Sequence, residues 1–392
     1  MSMKKLNDLY IRLCMTALFS KVTSKPVFSY FEKVVREDSK EEKIKAYAAF
    51  VGEIYSSRLS LSGLVKKYVF EDENVYIKSA AHDLEVSGSV ASALKTELAA
   101  LSEFASLSSD DFARALSLDF VLPFDSEKTD IYSEYKERVK NVSRFGYGIF
   151  SASPMFRLND DGIIEPIMSA DKTTVDKFIG YKEEREAVLK NTEAFIEGRP
   201  AANTLLCGDA GTGKSSTVKA IANLYFDRGI RLIELRKDQL KMLPRVMGKV
   251  SENPLKFIIF IDDLAFNKSD DNFSMLKAAL EGSASAKADN AVIYATSNRR
   301  HIIKESFADR DGDDVHRNDS MQETLSLSER FGLVVSFTKP NKQLYLEIVH
   351  ALAERFEINI PDTELDVRAE AFALKKGSRS ARCAEQFINS LL

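Results

Sequence analysis

Hydrophobic residues in the first 170 positions recur at the spacing of amphipathic helices. From Ser39 to Leu59, a serine that can cap a helix precedes an acidic first turn, and apolar residues then follow every three or four positions. Residues 6–13 and 91–107 repeat this spacing, and glycine and proline are scarce. The pattern predicts a mainly α-helical N-terminal domain, with its connector, over residues 1–170.

A different pattern begins near residue 171. Short apolar runs alternate with helical segments, as is typical of buried strands in a parallel sheet. The helical spacing returns after Lys339. We therefore predict an α/β domain with a five-stranded parallel sheet over residues 171–338, followed by a helical C-terminal region over residues 339–392. The predicted strands are NTLLCG, IRLIEL, KFIIFID, NAVIYATS and LVVSF.

Composition narrows the class of protein. The chain has 392 residues, of which 44% are hydrophobic, and its formal net charge is −4. These values are typical of a folded protein with two or three domains, and the acidic balance argues against broad binding to nucleic acid. Three cysteines without a CxxC pair and four histidines without ligand spacing favour a reduced, cytoplasmic location over a disulfide framework or a zinc site. The sequence has no apolar run of about 18 residues, so we expect no membrane span.

The strongest chemical signal is the stretch GDAGTGKSS, which fits the pattern G-x-x-x-x-G-K-[ST]. Glycines let the backbone curl so that amide groups face phosphate oxygens, and the helix that follows adds its positive end. The lysine can reach the β- and γ-phosphates of ATP, and the next serine can bind Mg²⁺. A glycine-rich turn with a solvated lysine is the alternative, but the strand predicted before the motif and the helix after it favour a phosphate loop. The residues assigned to nucleotide binding here are Gly208, Asp209, Ala210, Gly211, Thr212, Gly213, Lys214, Ser215 and Ser216.

Polar side chains end two other predicted strands. Asp262 and Asp263 follow FIIFI, and Asn298 follows AVIYATS. We expect Asp262, with Ser215, to hold Mg²⁺, and Asp263 to orient or deprotonate an attacking water. Asn298 would hold that water against the γ-phosphate. The alternatives are an acidic turn after the first strand and an asparagine that only caps the turn after the second.

The order of these features resembles that of the AAA+ ATPases. In that family a phosphate loop, an acidic strand tip and a polar strand tip precede an arginine finger, the last core strand and a helical lid. SLSERFGLVVSF resembles the finger segment, and GSR within KKGSRSARCAEQF resembles the G-x-R motif of the lid. Stretches such as RPAANTLLCGDAGTGKSS and YATSNRRH are more similar still to a bacterial family catalogued as domain of unknown function 815. The strong part of the resemblance covers residues 178–387.

The resemblance implies roles for individual residues. It places Ile179 and Gly180 against the adenine. It also implies that Arg330 reaches the nucleotide of a neighbouring subunit, and therefore a homo-oligomer with head-to-tail contacts. A salt bridge between Arg330 and Glu329 or another acidic residue is the alternative. The catalytic residues implied are Lys214, Asp263, Asn298, Arg330 and Arg379.

Three features leave the assignment open or depart from the family. Arg379 matches the lid motif, but Arg382 lies three residues further on and is a competing candidate. The acidic tip reads Asp-Asp where many AAA+ proteins have Asp-Glu, and the shorter Asp263 leads us to expect slow turnover. After the second predicted strand, the aromatic–hydrophobic–glycine triplet of protein-threading motors is missing. Met242–Leu243 could replace it, but a packed helix face is favoured, which weakens an unfoldase interpretation.

The segment between the polar strand tip and the arginine finger is strongly acidic. Residues 305–323 contain seven acidic residues and two arginines. They lack the 1-3-5-12 spacing of a calcium loop, so a solvated loop near a subunit interface is favoured over a metal site. The basic cluster NRRH, residues 298–301, could contact a neighbour's nucleotide or a nucleic acid.

The sequence therefore predicts an oligomerising, Mg²⁺-dependent ATPase that remodels a protein or protein–nucleic-acid partner. The helical N-terminal domain would recognise a protein client whose identity the sequence does not give. One alternative is a binding module that ATP switches, with little turnover. The other is a DNA-associated loader, against which the sequence pI of about 5.8 argues mildly.

Overall fold

The computed structural model describes residues 1–167, 173–264, 271–280, 288–298 and 330–392. They form two compact units, Met1–Ala152 and Ser153–Leu392. Within the described part of the chain, we find no helix with the length and apolar character needed to cross a membrane.

The first unit is helical, which confirms the prediction for the N-terminal region. Polar caps set where several of its helices begin: the side-chain oxygen of Ser39 accepts a hydrogen bond from the amide of Glu42, and that of Asn74 from the amide of Ile77. Phe50 and Phe112 are fully buried in the core, with their ring centroids 5.2 Å apart. The helices are α1 (Met3–Cys14), α2 (Ser20–Thr23), α3 (Pro26–Arg36), α4 (Lys40–Ser57), α5 (Leu61–Phe70), α6 (Val75–Ala81), α7 (Gly88–Ala105), α8 (Ser109–Leu116), α9 (Ile131–Lys140) and α10 (Val142–Phe145).

The second unit is an α/β fold, as predicted. Its sheet has the order β2-β1-β4-β5-β6-β3-β7, and all neighbouring strands are parallel except β1 and β2. Its strands are β1 (Met155–Leu158), β2 (Ile164–Pro166), β3 (Thr204–Gly208), β4 (Ile230–Leu235), β5 (Lys256–Ile261), β6 (Ala291–Ser297) and β7 (Leu333–Phe337). Its helices are α11 (Lys182–Ile196), α12 (Lys214–Leu224), α13 (Leu243–Ser251), α14 (Asp271–Leu280), α15 (Lys342–Arg355), α16 (Asp362–Lys376) and α17 (Ala381–Asn389).

The predicted number of strands is wrong, because the sheet described here has seven strands and not five. Strands β1 and β2 lie within the segment that we expected to be a connector. They have only four and three residues and form the edge of the sheet, where Arg157 and Glu165 face solvent and form a salt bridge of 2.8 Å. Short edge strands of mixed polarity lack the continuous apolar run that identifies a buried strand.

The order of the sheet determines which loops meet. Strand β3 lies between β6 and β7, and β5 pairs with the other side of β6. Because these strands are parallel, the residues that follow β3, β5 and β6 emerge at one edge of the sheet. Helices α15, α16 and α17 form the C-terminal helical region, the lid, around a core that includes Tyr345, Ala369 and Phe387. Leu243 begins α13 and is 1% exposed, so it belongs to the core and not to a surface loop.

Candidate functional site

The loop between β3 and α12 has a backbone conformation that favours glycine. Gly208, Gly211 and Gly213 have φ angles of +131°, +76° and +89°. A Cβ atom at Gly208 would lie 2.0 Å from the carbonyl oxygen of Phe337 at the end of β7. The loop therefore passes closely over the sheet edge and ends at the N-terminus of α12, where backbone amides can bind phosphate.

Lys214 opens α12 and is 5% exposed. Its Nζ donates to the carbonyl oxygens of Gly208 and Asp209 at 3.0 and 2.7 Å and to Oδ1 of Asn298 at 3.1 Å. Burial lowers the pKa of this ammonium, because a charge removed from water is disfavoured. All three acceptors are neutral, so an anionic phosphate oxygen would be a stronger partner for Lys214 than any of them.

Asp262 lies at the tip of β5 and accepts hydrogen bonds from hydroxyl groups of two neighbouring elements. Its Oδ1 accepts from Oγ of Ser215 at 2.6 Å and from Oγ1 of Thr296 at 2.5 Å. The structure thus brings together the two predicted metal ligands, Ser215 and Asp262. Sequence reasoning did not include Thr296, although its place at the end of the strand beside β5 was a usable signal. Oxygen atoms of this kind are the ligands that Mg²⁺ prefers.

Asp263 and Asn298 are bonded to each other across the strand tips. Nδ2 of Asn298 donates to Oδ1 of Asp263 at 2.7 Å, while its Oδ1 accepts from Lys214. Asp263 has φ +51°, a left-handed conformation that aspartate tolerates better than most residues. Its amide donates to Oγ1 of Thr296 at 2.9 Å. One amide side chain therefore links the buried lysine to the second carboxylate.

At the other end of the site, Phe178 and Ile179 line an apolar wall, with Ile348 and Leu352 of α15. Gly180, the other residue expected near adenine, has φ +68° and packs on Leu344, where a Cβ atom would lie 2.5 Å from Cδ1. It is not among the described residues that line the cavity.

A buried arginine, Arg185 of α11, lines the cavity beside this wall and was missed by sequence reasoning. It is 7% exposed and lies over the Phe178 ring, 4.7 Å from its centroid. It donates to the carbonyl oxygens of Gly180 and Ile179. Burial lowers its pKa to about 10. These bonds fix the backbone of the segment that forms the apolar end of the site.

The N-terminus of the lid helix α17 closes the side of the cavity. The amide of Arg382 donates to the carbonyl oxygen of Gly211 at 3.3 Å, so this helix starts against the phosphate loop. Arg382 and Glu385 line the cavity, and both side chains are exposed. Sequence reasoning did not include Glu385, although it lies three residues after Arg382, on the same helix face.

Two predicted arginines lie elsewhere. Arg379 donates twice to the carboxylate of Glu370, at 2.9 and 2.7 Å, so the structure pairs it with another lid residue. Arg330 lies just before β7 and is half-buried. Among the described residues that line the cavity, neither Arg379 nor Arg330 appears. Glu329, the basic cluster at 299–301 and the acidic segment at 305–323 lie outside the described residues.

These elements enclose a cavity of about 380 Å³, within the range for small-molecule sites. Cationic side chains lie at the phosphate loop, on the lid and beside the apolar residues of the far end, where Lys177 and Arg185 line the cavity. Two carboxylates lie at the strand tips and a third, Glu385, on the lid. This order matches the charges and apolar base of a nucleoside triphosphate with a metal ion. Among the described residues, no three histidine, cysteine, aspartate or glutamate side chains meet in a way that could hold a metal ion.

Comparisons with known proteins give a family and a set of distant structures. The family model described as "Protein of unknown function (DUF815)" matches residues 151–392. No curated protein matches the sequence significantly. Among solved structures, the RuvB Holliday junction branch migration motor of Thermotoga maritima matches with 13% identity and a TM-score of 0.34, covering 55% of this chain and 71% of that chain. A variant of the same RuvB matches with 15% identity and a TM-score of 0.35 over the same shares.

Proposed function

The chain belongs to the family described as protein of unknown function DUF815, and on that premise we propose that it is an Mg²⁺-dependent ATPase of the AAA+ type. The observation that carries this proposal is the bonded network at the sheet edge. Within it, Lys214 contacts Asn298, Asn298 contacts Asp263, and the neighbouring Asp262 contacts Ser215. The lysine, the two carboxylates, the hydroxyl and the amide proposed to act on the phosphates, the metal ion and the water are therefore within one cluster of hydrogen bonds.

Ser215 and Asp262 would hold Mg²⁺ together with phosphate oxygens of the substrate. Their oxygen atoms are 2.6 Å apart, and Mg²⁺ is usually held by one or two protein oxygens plus phosphates. When bound, the ion would neutralise charge on the β- and γ-phosphates.

The remaining residues would act on the phosphate and the water. Lys214 neutralises charge that develops as the bond between the γ-phosphorus and the bridging oxygen breaks. Asp263 accepts the proton of the attacking water, and Asn298 orients that water. Of the two lid arginines, Arg382 lines the cavity while Arg379 is paired with Glu370. This difference favours Arg382 as the lid residue that contacts the phosphates.

We also propose that turnover depends on assembly. Arg330 would contact the nucleotide of a neighbouring subunit, in a head-to-tail homo-oligomer. Three parts of the chain would have separate roles. Residues 1–170 would recognise a protein client, residues 171–338 would bind the nucleotide, and residues 339–392 would form the lid. Client remodelling, with a nucleic acid as a less favoured partner, is the corresponding activity. All three cysteines are free, which fits the reducing cytoplasm that we propose as its location.

A nucleotide switch with little turnover is the second candidate. The bond between Asn298 and Asp263 favours it, because it engages one of the two oxygens of the carboxylate that would otherwise accept a proton from water. A switch would bind ATP, change its affinity for the partner and hydrolyse the nucleotide slowly.

The proposed function is tested by nucleotide affinity and by the ATPase rate per subunit across a range of protein concentrations. Lys214→Ala should abolish ATP binding, whereas Lys190→Ala, which removes an exposed lysine of α11 that pairs with Glu186, should not. Arg330→Ala should bind ATP but lose turnover, and the wild-type rate should rise with concentration. Unchanged ATP affinity in Lys214→Ala would refute the phosphate site. A low rate that is flat with concentration and equal in wild type and Arg330→Ala would favour the switch.

A further inference from the structure

Glu385 is a carboxylate in a cavity suited to anions. Three carboxylates are among the described residues that line this cavity. Two of them, Asp262 and Asp263, lie at the strand tips and are hydrogen-bonded there. Glu385 lies on the opposite side, on α17, and is exposed. Within the described ranges, its side chain has no hydrogen bond and no ion pair. A negative charge beside a phosphate site repels the ligand unless it has a separate purpose.

The position of Glu385 along α17 indicates which part of a nucleotide it would meet. This helix begins at the phosphate loop, where the amide of Arg382 bonds to Gly211. Glu385 lies three residues further along, or about 4.5 Å at the rise of an α-helix. The apolar wall made by Ile348 and Leu352 belongs to α15, which packs against α17 in the lid core. Glu385 therefore lies nearly one helical turn beyond the residue that bonds to the phosphate loop, on a helix that packs against the one carrying Ile348 and Leu352.

The chemistry of the nucleotide supplies a partner for this carboxylate. A nucleotide whose phosphates lie on the loop and whose base lies on the apolar wall has its ribose between them. Ribose hydroxyl groups are donors, and an ionised carboxylate is an acceptor only. A carboxylate that binds ribose hydroxyls is an established solution in dinucleotide-binding folds. Neither Arg382 nor the nearby Arg355 forms a salt bridge with Glu385 in the structure described here.

We propose that Glu385 binds the ribose hydroxyls and makes the site selective for ribonucleotides over deoxyribonucleotides, an inference that rests on the proposed nucleotide site. Its role is in specificity and not in hydrolysis. The negative charge of Glu385, set one turn away from the phosphates, would then favour the sugar while weakening the binding of phosphate alone.

The test measures dissociation constants calorimetrically, with the full chain and Mg²⁺, for ADP, 2′-deoxy-ADP, 3′-deoxy-ADP and pyrophosphate. Diphosphates avoid hydrolysis during the titration. The wild type should bind ADP about tenfold more tightly than 2′-deoxy-ADP, the effect of one charge-assisted hydrogen bond. Glu385→Ala should weaken ADP binding by about the same factor. It should also bring the ratio of the dissociation constants of 2′-deoxy-ADP and ADP to about one, and tighten pyrophosphate binding.

The controls separate this inference from the proposed function. Glu354→Ala removes an exposed glutamate of α15 that does not line the cavity, and should keep the wild-type ratio. Glu385→Gln keeps one acceptor oxygen and should give an intermediate ratio. An equal ADP/deoxy-ADP ratio in wild type and Glu385→Ala would overturn the inference while leaving the nucleotide site intact. A wild type that binds neither ADP nor pyrophosphate would overturn the proposed function, and the inference with it.

Discussion

Two parts of the cavity lining, the sheet edge and the lid helix α17, are built in opposite ways. At the sheet edge, Lys214, Asp262 and Asn298 are bonded to one another or to neighbouring strands. On the lid, Arg382 and Glu385 are exposed, and within the described chain their side chains contact no hydrogen-bond or ion-pair partner. The polar groups at the sheet edge are held in place by their neighbours, whereas among the described residues Arg382 and Glu385 have no such partner, unlike the Arg379–Glu370 pair elsewhere on the lid.

This difference separates two tasks. Groups that stabilise charge during a reaction are most effective when they are already oriented, because no reorganisation is then needed at the moment of reaction. Groups that close over a ligand must be able to change their contacts as it enters and leaves. We therefore expect substitutions at the sheet edge to affect folding and turnover, and substitutions on the lid to affect selectivity and affinity by smaller factors.

The largest expected effect comes from the turn at the sheet edge. Gly208→Ala places a Cβ atom 2.0 Å from the carbonyl oxygen of Phe337, in a backbone region that favours glycine. We expect a loss of about 3 kcal/mol or more in unfolding free energy, measured by chemical denaturation. Gly248→Ala is the matched control, since it lies inside α13 with nothing within 4 Å of the added Cβ. It should stabilise by about 0.5–1 kcal/mol. Equal stability of the two variants would contradict a tightly built sheet edge.

Asn298 should give the next largest effect, this time on turnover. Asn298→Ala removes both the acceptor of Lys214 and the donor to Asp263, so the water and its base lose their alignment. We expect the ATPase rate to fall about 100-fold while ADP affinity changes less than about threefold, measured by single-turnover kinetics and calorimetry. Thr296→Ser keeps the hydroxyl that bonds Asp262 and serves as the control with near wild-type rates. An unchanged ATPase rate in Asn298→Ala would mean that Asn298 only caps the turn after β6.

The sheet edge is also the part of the candidate site that the sequence predicted best. A glycine pattern, a lysine and polar residues after apolar runs are short-range signals, and parallel strands bring such ends together. The structure accordingly places Ser215 beside Asp262, and Asn298 beside both Lys214 and Asp263.

Features that depend on distant contacts were not predicted. Arg185 contacts the site only because α11 folds its side chain under Phe178. Strand β1 pairs with β4, and β2 pairs with β1. Their own sequences are too short to indicate strands. For the lid, a motif match selected Arg379, but its guanidinium meets Glu370 nine residues earlier in the chain. Helical spacing alone does not determine which of two neighbouring arginines faces the cavity.

The smallest predicted effect concerns Arg379 and Arg382. It bears most directly on the difference between the sheet edge and the lid. Arg382 lines the cavity, whereas Arg379 already has two bonds to Glu370. Arg382→Ala should therefore weaken the binding of a non-hydrolysable ATP analogue about tenfold, and that of ADP less, since the removed cation would contact the terminal phosphate. Arg379→Ala should leave both affinities unchanged. If Arg379→Ala weakened binding and Arg382→Ala did not, nucleotide binding would have to break the pair of Arg379 with Glu370 and turn α17. The lid would then also have an ordered arrangement of its charged groups, but only in the nucleotide-bound state.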